Sequence, residues 1–210
     1  MDTLIVEKKN EVYITVDCDP NIQREISEFF TFYVPGYKFM PAFRNRMWDG
    51  KIRLFSQKTK EIYFGLFPYI KAFAEERQYH IVCGKDVEID NKVDKDVVAK
   101  FSNSLGQKFE ARDYQIDAIY HSLKHNRALL LSPTASGKSF IIYSLIRYYS
   151  HLIKDEANNR ILLIVPTTSL VEQMYSDFQS YGWNVKKNCH RLYSGYSNQT
   201  DKKVLISTWQ

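Results

Sequence analysis

The sequence predicts an α/β protein in two parts: a small α+β domain, then a lobe built on a parallel sheet. Three observations carry that prediction. A loop of small residues ending in Gly137-Lys138-Ser139 stands between an apolar run and a helical pattern. Around it, the second half alternates continuous apolar runs with amphipathic stretches, the rhythm of right-handed strand–helix–strand units. The first half instead mixes short alternating stretches with two helical ones, and its positive charge is confined to one segment.

In chain order, residues 12–17 alternate apolar and polar and predict a strand. Asp19-Pro20 supplies an N-cap and a first helical position, and Ile22, Ile26, Phe29 and Phe30 then fall on one face, so residues 21–30 predict a helix. Pro35-Gly36 ends it, and Asp49-Gly50 is a hairpin signal. Residues 51–55 and 63–66 predict further strands. Pro68 opens a helix with Ile70, Phe73 and Ala74 inward, and residues 79–83 return as a strand. The expected domains are 1–84, a junction at 85–107 holding a possible helix at 93–101, and 108–210.

In the second half, Ile116, Ile119, Tyr120 and Leu123 mark a helix, and residues 128–131 predict the first strand of the parallel sheet. Ile141, Ile142, Leu145, Ile146 and Tyr149 mark the helix after the loop. Residues 161–165 are continuously apolar, as a strand buried on both faces requires. Ser169-Leu170-Val171-Glu172 has a capping-box pattern, Leu170, Met174 and Phe178 share a helical face, and Gly182 is a C-terminal stop. Residues 185–192 and 203–207 predict two more strands.

Composition narrows the class. The chain has 210 residues and a net charge of +5. No apolar run approaches the ~20 residues that span a bilayer, and the first ten residues lack a signal-peptide core. Three separated cysteines, Cys18, Cys83 and Cys189, predict reduced thiols and a cytoplasmic setting. Residues 36–60 carry seven basic side chains (Lys38, Arg44, Arg46, Lys51, Arg53, Lys58, Lys60) against one acid, Asp49. That imbalance, interleaved with aromatics, suits a phosphate backbone and stackable bases. The i, i+4 pair His121 and His125 has metal-binding spacing but no third ligand nearby in sequence.

The loop carries the chemistry. Ser132-Pro133-Thr134-Ala135-Ser136-Gly137-Lys138-Ser139 matches G-x-x-x-x-G-K-[ST] at every fixed position except the first, where serine replaces glycine. Gly137 lets backbone approach phosphate oxygens, and the N–H groups of a new helix favour an anion. Lys138 is placed to reach the β/γ-phosphates and Ser139 to ligate Mg²⁺, so ATP with Mg²⁺ is the expected cofactor.

Further elements resemble superfamily 2 helicases. Arg112-Asp113-Tyr114-Gln115 resembles that family's R-x-Y-Q element, which implies that Arg112, Tyr114 and Gln115 recognise adenine. Pro166-Thr167-Thr168-Ser169-Leu170-Val171-Glu172-Gln173 resembles P-T-x-x-L-x-x-Q, and Tyr193-Ser194-Gly195 and Ser207-Thr208-Trp209-Gln210 resemble later elements of the same lobe. The resemblance implies that Thr167, Thr168, Ser194 and Gly195 touch the DNA backbone. Within the superfamily the chain is similar to the UvsW-type phage helicases, and that likeness reaches the first domain through the basic-aromatic stretch around Trp48-Asp49-Gly50-Lys51-Ile52-Arg53 and through Phe64-Gly65-Leu66.

The resemblance implies a partial RecA-like lobe and DNA contacts by Lys38, Arg44, Arg46, Lys51 and Arg53. Trp48 is expected to be packed instead. It implies a branch-migration motor of recombination, repair and replication restart acting on branched or duplex DNA in a host cytoplasm. The family's Asp-Glu motif and second motor lobe lie beyond Gln210, so this chain alone is expected to bind nucleotide weakly and hydrolyse it hardly at all. Two alternatives stand: a duplex translocase of restriction or remodelling type that does not unwind, and a non-catalytic DNA-binding protein with a vestigial nucleotide site.

Overall fold

The computed structural model describes residues 2–87, 91–153 and 159–209, and the chain falls into two compact units, residues 1–89 and 90–210. Residues 88–90 of the anticipated junction, and Gln210, lie outside the described residues.

The first unit contains β1 (Thr3–Lys8), β2 (Tyr13–Asp17), α1 (Pro20–Phe29), β3 (Thr31–Tyr33), α2 (Pro41–Arg44), β4 (Lys51–Arg53), β5 (Glu61–Tyr63), α3 (Phe67–Glu76) and β6 (His80–Cys83). Its main sheet has the order β5-β2-β1-β6, with only the β1–β6 pair parallel. Leu4 and Val6 of β1 and Ile14 and Val16 of β2 point to one face and are fully buried with Ile26, Ile70 and Phe73 of the two long helices. Each such side chain contributes about 1.5–3 kcal/mol of transfer free energy. Asp19 caps α1 by accepting from Asn21 N at 2.8 Å.

Two strands of this unit, β1 and β3, and the short α2 are not predicted by the sequence. β1 has a clean inward alternation only at Leu4 and Val6, because Ile5 between them is apolar yet exposed. β3 pairs with β4 in a separate two-stranded ribbon. Asp49-Gly50 therefore does not make a tight two-residue hairpin: the connection between β3 and β4 contains a 3₁₀ turn at Tyr37–Phe39 and α2. The strand expected at 63–66 ends at Tyr63 and gives way to a 3₁₀ turn, Phe64–Leu66, that leads into α3.

The second unit contains α4 (Lys95–Asn103), α5 (Asp113–His125), α6 (Lys138–Leu152), β7 (Ile161–Val165), α7 (Thr168–Ser180), α8 (Val185–Asn188), β8 (Cys189–Leu192) and β9 (Val204–Thr208). Its sheet is parallel, in the order β7-β9-β8. α4 begins at Asp94, whose carboxylate accepts from Asp96 N and Val97 N, and it packs with this unit's core through Val98.

Three expectations change here. Residues 128–131 form no strand: Leu129 is 84 % and Leu131 90 % exposed, and no ladder partner lies beside them among the described residues. An apolar run supplies the demand for burial, but a parallel strand also needs a neighbour for its N–H and C=O groups. The sheet ends instead at β7. Residues 185–192 are not one strand, because Asn184 accepts from Lys187 N at 3.1 Å and caps the short α8 before β8 starts. Ser169 is not the cap of α7. Thr167 is, its hydroxyl accepting from Leu170 N at 3.3 Å, and Glu172 is used elsewhere.

Candidate nucleotide and nucleic-acid sites

Gly137 is the N-cap of α6 and sits in the left-handed region, φ 77° and ψ 37°. A Cβ there would lie 2.4 Å from Gln115 Nε2, so glycine is required twice, for conformation and for space. The opening N–H groups of α6 have no acceptor within the helix and project at the loop, as an anion cradle requires. Ala135 also has positive φ, 64°, which turns the loop sharply before it enters the helix.

Side chains from the start of α5 hold this loop. The buried Gln115 donates through Nε2 to Ser136 O at 3.0 Å and accepts from Arg112 N at 3.0 Å. Tyr114 OH donates to the same Ser136 carbonyl at 3.0 Å and accepts from Arg112 Nη1 at 3.1 Å. Arg112, Tyr114 and Gln115 are thus brought against the loop, with Gln115 turned toward loop backbone.

Within the loop, Ser132 and Ser136 hydroxyls bond at 2.5 Å, and Ser136 Oγ donates to Pro133 O at 2.9 Å. Serine at the fingerprint's first position therefore braces the loop. Lys138 Nζ donates to Pro133 O at 2.6 Å and Ser132 O at 3.2 Å, so its ammonium is held at the loop mouth by two carbonyls. Thr134 is exposed at the tip. Ser139 Oγ lies 2.9 Å from Tyr181 OH.

Two cavities flank the loop. One of about 240 Å³ is lined by Phe109, Tyr114, Gln115, Gly137, Phe140 and Tyr181 among others. The other, about 610 Å³, lies against Arg112, Tyr114 and residues 129–136. Sequence reasoning missed Phe109 and Tyr181. Each lies outside the motifs, and aromatic type alone does not distinguish a cavity wall from core.

The implied backbone-contacting residues gather at one edge. In a parallel sheet all strand C-termini share a side, and ligands bind there in open α/β sheets. Thr167 and Thr168 follow β7, Ser194 and Gly195 follow β8, and Trp209 follows β9. Glu172 fixes part of this edge: its carboxylate accepts from Tyr193 OH at 2.6 Å and Arg191 Nη1 at 2.5 Å, tying the 193–196 turn to α7. The Tyr193 hydrogen bond, then Arg191, holds the Glu172 carboxyl below its ordinary range. Arg191 lies between the rings of Tyr175 and Tyr196, at 4.3 and 4.6 Å.

In the first unit, the basic segment forms a tip on the β3–β4 ribbon. Tyr33 stacks on Tyr37 at 4.7 Å, Tyr37 meets Phe43 edge-on at 4.7 Å, and a Cβ on Gly50 (φ 79°) would lie 2.3 Å from the Tyr37 ring. Trp48 is half-buried and donates from Nε1 to Lys51 O at 2.9 Å, so it is a packing residue here. A cavity of about 590 Å³ is bounded by Lys38, Phe43, Arg44, Arg46, Met47 and Trp48 with Asp49.

The basic residues are unequal. Arg53 is ion-paired to Asp49, whose carboxyl is held below its ordinary range chiefly by that hydrogen bond. Lys60 is paired to Asp17 at 2.6 Å, Lys51 Nζ sits 4.9 Å from the Tyr33 ring centre, and Lys38 Nζ lies 5.9 Å from that of Tyr37. Arg44 and Arg46 make no ion pair among the described residues.

Comparison with known proteins decides the family. A solved structure described as the UvsW helicase from bacteriophage T4 superposes on the whole chain with a TM-score of 0.86 at 30 % identity, and the chain covers 75 % of it. The chain belongs to the UvsW family of superfamily 2 helicases. A second T4 UvsW structure matches over the whole chain with a TM-score of 0.87 at 31 % identity, 43 % of that structure being covered. Family models agree by region: "DNA helicase UvsW, N-terminal" matches residues 5–84, and "Type III restriction enzyme, res subunit" matches residues 108–210. The ATP-dependent DNA helicase uvsW of Enterobacteria phage T4 is 33 % identical over 207 residues, which take in 94 % of this chain. The chain spans about 40 % of that relative's length. A shorter match, 34 % over 73 residues, is to the endoribonuclease Dicer of Danio rerio, covering 35 % of this chain and 4 % of that protein. The mixed α/β architecture with a parallel sheet in its second unit is the one the sequence predicts and UvsW shares.

Proposed function

We propose that the intact UvsW-family protein is an ATP-driven motor on branched or duplex DNA, serving recombination, repair and replication restart, and that this chain carries its DNA-engaging domain and most of its first motor lobe. The observation that carries this is the phosphate cradle: Gly137 in a left-handed conformation, fresh N–H groups at the start of α6, and Lys138 at the mouth of the loop. Its donor set is all N–H and ammonium, which fits a polyphosphate and no cation alone.

The residues divide the work. Backbone N–H groups of 135–139 orient the phosphate tail. Lys138 exchanges its two carbonyl acceptors for phosphate oxygens and stabilises charge developing on the transferred group. Ser139 and the triphosphate would hold Mg²⁺, which neutralises phosphate charge when bound. Phe109 offers a ring face to a base in the smaller cavity, with Arg112, Tyr114 and Gln115 beside it. Thr167, Thr168, Ser194 and Gly195 receive backbone phosphates at the sheet's C-terminal edge. Lys38, Arg44, Arg46 and Lys51 receive them at the tip, where Arg53 contributes only by exchanging Asp49 for phosphate.

The test is DNA-stimulated ATPase and strand separation by the full-length product, beside Lys138→Ala. Stimulated hydrolysis that this substitution abolishes is expected. No stimulation, and no effect of the substitution, would leave a DNA-binding protein with a vestigial site. The restriction-subunit match over 108–210 favours one second reading, a translocase that tracks duplex without unwinding. Triplex displacement without strand separation would establish it.

A further inference from the structure

Ser139 has a partner that no motif assigns. Its hydroxyl lies 2.9 Å from that of Tyr181, the residue that closes α7, and among the described residues the Tyr181 hydroxyl makes no other hydrogen bond. The tyrosine is firmly placed. Its N–H donates to Asp177 O at 3.0 Å, and the chain then turns at Gly182, φ 88°, where a Cβ would lie 3.1 Å from Gly106 O. The ring packs against Phe109, Phe140 and Tyr143 at centroid distances of 5.8, 5.7 and 5.2 Å. Phe140 is the next residue of α6 after Ser139, so the same packing fixes both hydroxyls.

A serine hydroxyl that ligates a cation must present a lone pair and send its proton the other way. An acceptor on the far side receives that O–H as a hydrogen bond and fixes the rotamer, as outer partners do for metal ligands generally. A neutral phenol is suitable, since it adds no charge to compete with the cation.

We propose that Tyr181 is the positioning residue for Ser139, its phenol oxygen accepting a hydrogen bond from the Ser139 hydroxyl so that the serine oxygen's lone pairs face the divalent cation of a bound nucleoside triphosphate. This rests on the reading of residues 132–139 as a nucleotide site. It also gives α7 a mechanical meaning. One rigid helix opens at Thr167, a proposed contact to DNA backbone, and closes on the side chain that orients the cation ligand, about 20 Å away for its 13 residues at ~1.5 Å each.

The test removes one oxygen. Tyr181→Phe keeps the ring and its packing. The affinity of the full-length protein for a fluorescent, non-hydrolysable ATP analogue is measured with Mg²⁺ and again with EDTA. The expected result is an unchanged affinity in EDTA and a Mg²⁺-dependent gain reduced about tenfold, the lower end of outer-partner effects. Ser139→Ala should remove the gain, and adding Tyr181→Phe to it should change little further. Wild-type affinity for Tyr181→Phe in both conditions, or an equal loss in both, overturns the proposal. Lys138→Ala separates the two levels. If it weakens binding in both conditions the nucleotide reading stands whatever Tyr181 does, and if it binds like wild type that reading fails first.

Discussion

The loop of the second unit and the tip of the first are both proposed to meet phosphate, and they would do so by opposite means. At the loop the donors are backbone N–H groups whose directions are set by Gly137, Ala135 and the first turn of α6. At the tip they are the ends of long side chains, and Arg44 and Arg46 have no acidic partner among the described residues to hold them in one place. The first arrangement is rigid, short-ranged and selective for one ligand shape. The second is adaptable, long-ranged and screened by salt. Both rest on a glycine at positive φ with a side chain seated where a Cβ would go: Gln115 on Gly137, Tyr37 on Gly50. The scaffolds are alike, and the presented groups differ.

The largest effect should come at the loop. Lys138→Ala is expected to lower ATP affinity by about 10²-fold or more, because a preorganised charged donor is lost without a substitute. An analogue titration measures this, and a loss under threefold would put the lysine outside the site. Next come the glycines. Gly137→Ala and Gly50→Ala each impose a strained φ and a close contact, and each should destabilise its own unit by about 2 kcal/mol, read by chemical denaturation. If Gly50→Ala alone were harmless, the tip would be a softer structure than the Tyr33–Tyr37–Phe43 stack implies.

Smaller still is the salt effect that sets the regions apart. Four cations at the tip predict a log–log slope for DNA binding near −3.6, and Arg44→Ala with Arg46→Ala should reduce it by about 1.8, from ~0.9 per phosphate contact. Arg53→Ala should change it least of the tip arginines, since Asp49 already holds that side chain. Equal contributions from all three would dissolve the distinction. The smallest effect concerns Glu172. Its folded pKa is depressed, so its bonds to Tyr193 and Arg191 stabilise the second unit above the unfolded carboxyl's pKa, about 4.3, and that contribution is lost as pH falls through the folded value. Glu172→Gln should flatten the acid limb of the stability–pH curve, and an unchanged limb would mean the network adds nothing.

The same contrast explains what could be read from sequence. The loop was legible as a turn into a helix because its signal is local: Gly137 takes the left-handed φ that opens α6, and Lys138 and Ser139 form that helix's first turn. The longer α-helices were legible for the same local reason: α1 lies within one residue of its predicted bounds, and α5 and α6 enclose the residues that mark them. Elements that depend on distant partners were not. Residues 128–131 and Ile161–Val165 show the same apolar signal, yet only the second pairs, since β9 stands beside it. β1 was invisible because Ile5 blurs its period, although Leu4 and Val6 are central to their core. Glu172 fitted a capping pattern three residues from Ser169, but Arg191 of β8 and Tyr193 just after that strand claim it. Tyr181 had no pattern at all, being defined only by what lies across from it.

The proposed motor role of the second unit depends on residues 132–139 receiving a triphosphate. The most direct measurement is to titrate the protein with a non-hydrolysable ATP analogue and Mg²⁺ while following backbone amide resonances. The largest shifts should fall on Ala135, Gly137, Lys138 and Ser139, with smaller ones at Phe109 and Gln115. Saturation that leaves those amides unmoved, or shifts centred on the basic tip instead, would contradict the account.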